Sequence, residues 1–313
     1  SSPKQKKRKD NPMPRRRNSY FSYLDQESLS RISGEPLLSN FSMEGSVSGH
    51  HRSPHKVASV EFSEYREYTP GEDPKRMDWK VFGRSDRYYL KEFEAETNLR
   101  CHLAIDCSAS MSFGEPVNKL EYAKKLTATL AYIYLGQGDA VGLHTIQNKN
   151  QKIIPTKRNP AQVQEILEVL GPLKAKGKTN LIQSLHEIAE SSKMRGLIVV
   201  ISDFFEEIDL IKHAITHLRD RKHDVVLFQL LDKQEIEFSF ERPTRFIDLE
   251  GEGSIITEPT LIRDEYLKRI EEHSMAINEH CLECEASFNR VSTLQSISET
   301  LNTFSSHRRE ITS

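Results

Sequence analysis

A chain of 313 residues, 36% of them apolar, can bury one large core or two modest ones. No stretch approaches the ~18 consecutive apolar residues of a membrane-spanning helix, and no apolar segment follows the basic N-terminus as it would in a signal peptide. The four cysteines are too few for a disulfide framework in a chain of this length, so the expectation is a cytoplasmic protein without a membrane span.

The net charge of −2 hides an asymmetry: residues 1–17 hold eight Lys or Arg and one Asp, about +7, leaving about −9 on the rest. A basic arm on an acidic body can bind nucleic acid or an anionic surface, but no aromatic residue is interleaved with the run, which argues against nucleic acid. Residues 1–44 read as a basic disordered tail with a short helix capped by Asp25 and running to Ile32. Residues 45–98 read as a β-rich subdomain. Val60 and Phe62 alternate with polar residues, the turn Tyr68-Thr-Pro-Gly-Glu-Asp-Pro74 follows, and Arg87–Glu94 is a second strand. The charges from Arg66 to Asp78 around Trp79 read first as an internal network pinning that turn, and second as a recognition surface.

From residue 99 to 313 strand and helix alternate. Leu99, Cys101, Leu103 and Ile105 form a strand running into Asp106. Residues 117–135 carry apolar groups at helical spacing, and Gly136 and Gly138 end that helix. Ala140–Ile146 is a strand, and Gln151–Pro155 is expected to pair with it. Helices follow at 160–170 and 180–192. Gly196–Ile201 is a continuous apolar run, as for a strand buried on both faces. A helix at 206–220, a strand at Asp224–Leu231, a long helix at 260–284, a strand at 286–291 and a helix at 293–305 complete the series. Such alternation predicts an α/β fold with a mostly parallel central sheet covered by helices.

In such sheets ligands bind beyond the carboxyl ends of the strands. The strand ending at Ile105 delivers Asp106, Ser108 and Ser110, and the one ending at Ile201 delivers Ser202-Asp203. Between them Gly177-Lys-Thr179-Asn-Leu181 opens a helix. Asp106, Ser108, Ser110, Thr179 and Asp203 make an all-oxygen set suited to a hard divalent cation such as Mg²⁺, with Mn²⁺ or Ca²⁺ as alternatives. The bland alternative is three independent helix N-caps.

Other motifs carry less. Cys281-x-x-Cys284 has no second pair, whereas zinc needs about four ligands. Gly171–Thr179 has five residues between its first Gly and its Gly-Lys-Thr, where a phosphate-binding loop has four, and a helix rather than a strand precedes it. His102 is read as turning away from Asp106 and His144 as a structural mid-strand residue. No base stands beside the site, so an enzyme is not expected, and a metal-dependent hydrolase is the alternative.

The series Asp106-x-Ser108-x-Ser110, Thr179, Asp203 resembles the metal-ion-dependent adhesion site of von Willebrand factor A domains, which have a Rossmann-like fold. The resemblance implies that the serines and Thr179 contact the metal, that the aspartates act directly or through water, and that one position stays open for a partner's carboxylate. Gly177-Lys178-Thr179-Asn180 stands where Gly-Gly-Thr-Asp is usual among bacterial relatives, so Lys178 would lower the local negative charge. His50–Pro54, Val60–Trp79, Tyr89–Glu96, Gly138–Leu143, His223–Leu227 and Pro243–Glu250 are similar to the bacterial family called domain of unknown function 58. Its members are commonly encoded beside MoxR-type AAA+ ATPases. The resemblance therefore implies a metal-dependent adaptor or scaffold for such a motor or its client.

Overall fold

The computed structural model describes residues 23–24, 60–67, 89–95, 99–148, 151–240, 242, 244–247, 249, 251 and 253–312. The basic arm, the Asp25–Ile32 helix and the Trp79 turn lie outside the described residues. Strands β1 (Val60–Glu67) and β2 (Tyr89–Ala95) pair antiparallel, with a register shift between Phe62 and Glu64. Both fall inside the expected 45–98 subdomain.

The α/β part then runs as β3 (Arg100–Asp106), a 3₁₀ turn (Ala109–Ser112), α1 (Lys119–Gly136), β4 (Ala140–Ile146), β5 (Ile153–Lys157), α2 (Gln162–Leu170), α3 (Leu181–Ser191), β6 (Leu197–Ser202), α4 (Ile208–Asp220), β7 (Asp224–Leu231), α5 (Lys233–Glu237), β8 (Thr244–Ile247), β9 (Ser254–Thr257), α6 (Pro259–Glu283), β10 (Ser287–Ser292) and α7 (Ile297–Thr312). One six-stranded sheet has the order β10-β7-β6-β3-β4-β5. All its pairings are parallel except β4–β5. This is the Rossmann-like α/β sheet that the alternating pattern predicts. The β8–β9 hairpin and the five-residue α5 were not anticipated, because segments so short show too few repeats to reveal a period.

The strand pattern sorts side chains into two cores. Leu103, Ile105, Val199, Ile201, Val226 and Phe228 face α1, α2 and α7. Ala104, Ile198, Val200, Val225 and Leu227 face α3, α4 and α6. Every residue of β6 and β7 is buried whichever way it points, which is why Leu197–Ile201 reads as an unbroken apolar run and β7 is interrupted only by Gln229 after Asp224. A fully buried Leu or Ile in these layers contributes about 2 kcal/mol.

Local chemistry sets the helix ends. Asn118 starts α1 by accepting the Glu121 N–H, and Asn180 starts α3 by accepting that of Gln183. At the far end of α1, Gly138 sits at φ +83, and a Cβ there would meet the Arg158 guanidinium at 3.0 Å. That glycine turns the chain back into β4 at the N-terminal edge of the sheet. The opposite edge is left to loops.

Candidate functional site

β3 and β6 are adjacent and parallel, with Ile105 opposite Ile201, so Asp106 and Ser202-Asp203 emerge side by side at the C-terminal edge of the sheet. The third loop is laced to the first by backbone bonds: Ala109 N–H to Gly177 O at 2.9 Å and Lys176 N–H to Cys107 O at 3.0 Å. Gly177 takes φ +70, a left-handed turn that brings Thr179 back toward Asp106.

Asp106 is the hub. Its Oδ1 accepts the Ser108 N–H at 2.9 Å and the Thr179 hydroxyl at 3.1 Å. Its Oδ2 lies within reach of the hydroxyls of Ser108 at 3.1 Å and Ser202 at 2.7 Å. Ser110 Oγ is 2.9 Å from Ser108 Oγ. Asp106, Ser108, Thr179 and Asp203 are all buried, and Ser110 is half-buried. All five expected residues therefore gather at one place. Burial pushes Asp106 up to about 6, the nearby Asp203 charge adds to this, and its hydrogen bonds oppose it.

The N-cap alternative does not describe this geometry. Asn180, not Thr179, caps α3. Ser108 makes no capping bond to the 3₁₀ turn, and α4 starts at Glu207 without a side-chain cap. Ser108 and Thr179 are turned on Asp106 instead, and Asp203 on Lys119.

Three participants were not foreseen. Ser202 was seen only as the neighbour of Asp203, yet it makes the shortest hydroxyl contact to Asp106 and also accepts the Phe204 N–H at 3.0 Å. Lys119, in the first turn of α1, is fully buried, and its Nζ lies 2.7 Å from both Asp203 Oδ2 and Glu235 Oε1. Its ammonium also stands 4.8 Å from the Phe205 ring centroid and 5.9 Å from that of Phe113. Burial works against the Lys119 charge, but Asp203 and Glu235 outweigh it and hold its pKa above the ordinary lysine value. Glu235 is fixed in turn by the Asp232 N–H at 2.8 Å in the capping box of α5. The lysine singled out in the sequence, Lys178, is exposed, so Lys119 is the cation inside the site.

Behind Asp203 the support continues. Gln229 donates to Asp203 O at 3.2 Å and accepts the Ser274 hydroxyl at 2.8 Å, and His273 Nε2 lies 2.8 Å from Phe204 O. These contacts hold Phe204 at φ 54. Outside, a cleft of about 680 Å³ opens beside Thr179, with Lys178, His186, Glu206 and Leu210 on its walls.

An oxygen-seeking cation fits this donor set. The buried group holds Asp106, Asp203 and Glu235 against Lys119 alone, a surplus of negative charge that a divalent ion would offset. Among the described residues no three of the His, Cys, Asp and Glu side chains form a metal-holding group, so any ion here would lean on the hydroxyls. That includes the Cys281-x-x-Cys284 pair, whose thiols are free.

His102 needs correction. Its even position puts it on the same side of β3 as Asp106, and it does not alternate away. It is kept off the site by distance, four residues back or roughly 13 Å along the strand, and its Nδ1 pairs with His144 Nε2 at 3.1 Å. No helix among the described residues is long and apolar enough to cross a membrane.

The chain is similar to two mycobacterial proteins, "Uncharacterized protein Mb1516" of Mycobacterium bovis and "Uncharacterized protein Rv1480" of Mycobacterium tuberculosis. Each is 25% identical over 201 residues, covering 62% of this chain and 62% of the relative. Among solved structures it is similar to the conserved hypothetical protein BatB from Bacteroides thetaiotaomicron, at 16% identity and a TM-score of 0.43 over 68% of this chain and 100% of that one. The family described as "Protein of unknown function DUF58" matches residues 64–276, more than half of the sequence, and the chain belongs to that family.

Proposed function

We propose that this chain is a cation-dependent protein-binding adaptor. In this reading Ser108, Ser110 and Thr179 hold an Mg²⁺ ion with Asp106, while Asp203 acts through water. Mn²⁺ and Ca²⁺ are alternatives. The observation that supports it is Asp106 itself, a buried carboxylate ringed by three hydroxyls, with Ser110 one contact further and Asp203 beside it. An ion bound there would supply an open coordination position for a carboxylate from outside.

The chain's own part is positional. The Gly177 turn and the Ala109–Gly177 bond fix the hydroxyls. Thr179 stands on the wall of the outer cleft, the side from which an acidic side chain would approach. The rest of the protein is acidic, at about −9 beyond the arm, and would repel an acidic partner in the absence of the ion. We assign the partner to a MoxR-type AAA+ ATPase or its client on the family resemblance alone. The two histidines weighed as bases for a hydrolase are bonded to each other on β3 and β4, which favours binding over catalysis.

The test is thermal unfolding and partner pull-down, each with Mg²⁺ and with chelator. A ligand that binds only the folded state raises the midpoint. Mg²⁺ is expected to raise it in the native chain and not in Asp106→Ala, and chelation is expected to release the partner. Equal shifts in both chains would remove the site. Binding that ignores chelator but fails when residues 1–17 are deleted would move the function to the basic arm.

A further inference from the structure

Lys119 lies between two of the three loops that carry the candidate ligands, those of Ser110 and Asp203. It leaves α1 next to Phe113 of the first loop, and its ammonium ends on Asp203 and beneath Phe205 of the second. It is fully buried. Its other carboxylate, Glu235, comes from α5 and is held by the Asp232 backbone. One tethered cation is thus shared between a residue of the ion site and a residue that is not part of it.

Resting on the cation-site reading above, we propose that Lys119 is a built-in competitor for the divalent ion at Asp203, and that Glu235 sets the strength of that competition by drawing the ammonium away. Asp203 Oδ2 is occupied by Lys119, while Oδ1 lies 3.4 Å from the Phe205 N–H. An approaching ion therefore meets an Asp203 already partly neutralised. Like charges a few ångströms apart in a poorly solvated site repel strongly, so the ammonium weakens ion binding in proportion to its hold on Asp203. Glu235 shares that hold at an equal 2.7 Å. The arrangement tunes the site toward weak ion binding in the isolated chain, so that a partner's carboxylate is needed to complete it.

Two variants separate this role from simple charge and from a purely structural pin. Glu235→Gln keeps the shape of the side chain but leaves Asp203 as the only carboxylate on the ammonium. The pair Lys119→Met with Glu235→Gln removes one positive and one negative charge, so the net charge of the cluster is unchanged while Asp203 is freed. Mn²⁺ binding is measured on the full chain from the free-ion electron paramagnetic resonance signal, with circular dichroism to confirm folding. Affinity is expected to fall about fivefold or more in Glu235→Gln and to rise about fivefold or more in the double variant. If the double variant does not fold, Lys119→Gln with Glu235→Gln retains an amide donor to Asp203 and is expected to show the same rise. Native affinity in the double variant, or weaker binding in it, overturns the competitor role while leaving the cation site standing. Absence of saturable Mn²⁺ binding in the native chain overturns the cation site itself, and the competitor role with it.

Discussion

Arg308, near the end of the last helix, closes an ion pair with Asp224 at the start of β7, and both side chains are almost fully buried, at 1% and 3% exposure. The guanidinium also lies 5.4 Å from the Phe304 ring centroid, and Phe304 in turn packs edge-on to Phe228. The last turn of α7 is thereby tied to the N-terminal edge of the sheet, opposite the candidate site.

Breaking a buried pair from one side leaves a charge with less compensation and costs about 3–5 kcal/mol. Arg308→Met is expected to lose stability of that order in urea unfolding. Arg308→Met with Asp224→Asn is expected to lose less, because the buried charge goes too. Ion binding at the opposite edge should not change in either.

Ser202→Ala tests the support of Asp106. The hydroxyl both donates to Asp106 Oδ2 and accepts the Phe204 N–H. Its loss is expected to lower Mg²⁺ affinity by 10–100-fold, the usual effect of removing an outer contact to a ligand. The cost in stability should be only about 1 kcal/mol. Calorimetric titration and urea unfolding read the two effects separately.

The contrast between Ser202 and Asp203 shows what the sequence makes legible. Asp106, Ser108, Ser110, Thr179 and Asp203 could be picked out because each stands at the end of a strand or the start of a helix, and a period-2 or period-3.6 pattern marks those places. The mostly parallel sheet was legible for the same reason. Lys119 was not, because a lysine in the first turn of an amphipathic helix is ordinarily solvated; what buries it is the arrival of Asp203 and Glu235 from 84 and 116 residues away. Glu235 sits on a five-residue helix, too short to declare itself. The missed residues are those whose role exists only in the tertiary contact.

The buried pair His102 and His144 on one side, and Asp139 on the other, give the stability opposite pH limbs. Burial pushes His102 down to about 3, helped by His144, and pushes His144 down to about 4. Between those values and the ordinary 6.5 the unfolded chain binds protons that the folded chain does not. Their contribution is therefore complete above pH 6.5 and is lost as pH falls. His102→Gln with His144→Gln should flatten the stability profile from pH 6.5 down to 4.

Asp139 has the reverse sign. Both its carboxylate oxygens are buried without a hydrogen bond, and burial raises it to about 8 against the pull of Arg158. From about pH 4 to 8 the folded chain keeps a proton that the unfolded chain has released, so stability declines as pH rises. Asp139→Asn should remove that decline, and unfolding in urea at pH 5 and pH 8 measures it.

Gly142 lies where β4 meets β5. A Cβ there would stand 2.6 Å from Ile154 O and 2.9 Å from Thr156 N, both backbone atoms. Gly142→Ala therefore cannot be relieved by a rotamer change, and β5 must move. A loss of about 2 kcal/mol is expected, in the range of overpacked cores, with faster amide hydrogen exchange in β5 and unchanged exchange in β6 and β7.

Pro155, in the middle of β5, has a further consequence. It has no N–H to donate, and its carbonyl already accepts the Gln162 amide at 2.7 Å. The outermost strand on that side thus has, at its centre, neither a donor nor an acceptor to offer a newcomer, and the sheet is sealed there. Among the described residues of the six-stranded sheet, the β10 margin is the one left for backbone pairing between copies. One margin can join two molecules about a twofold axis and then is used up. Strand-to-strand association of this sheet would end at a pair and could not run on into a fibre.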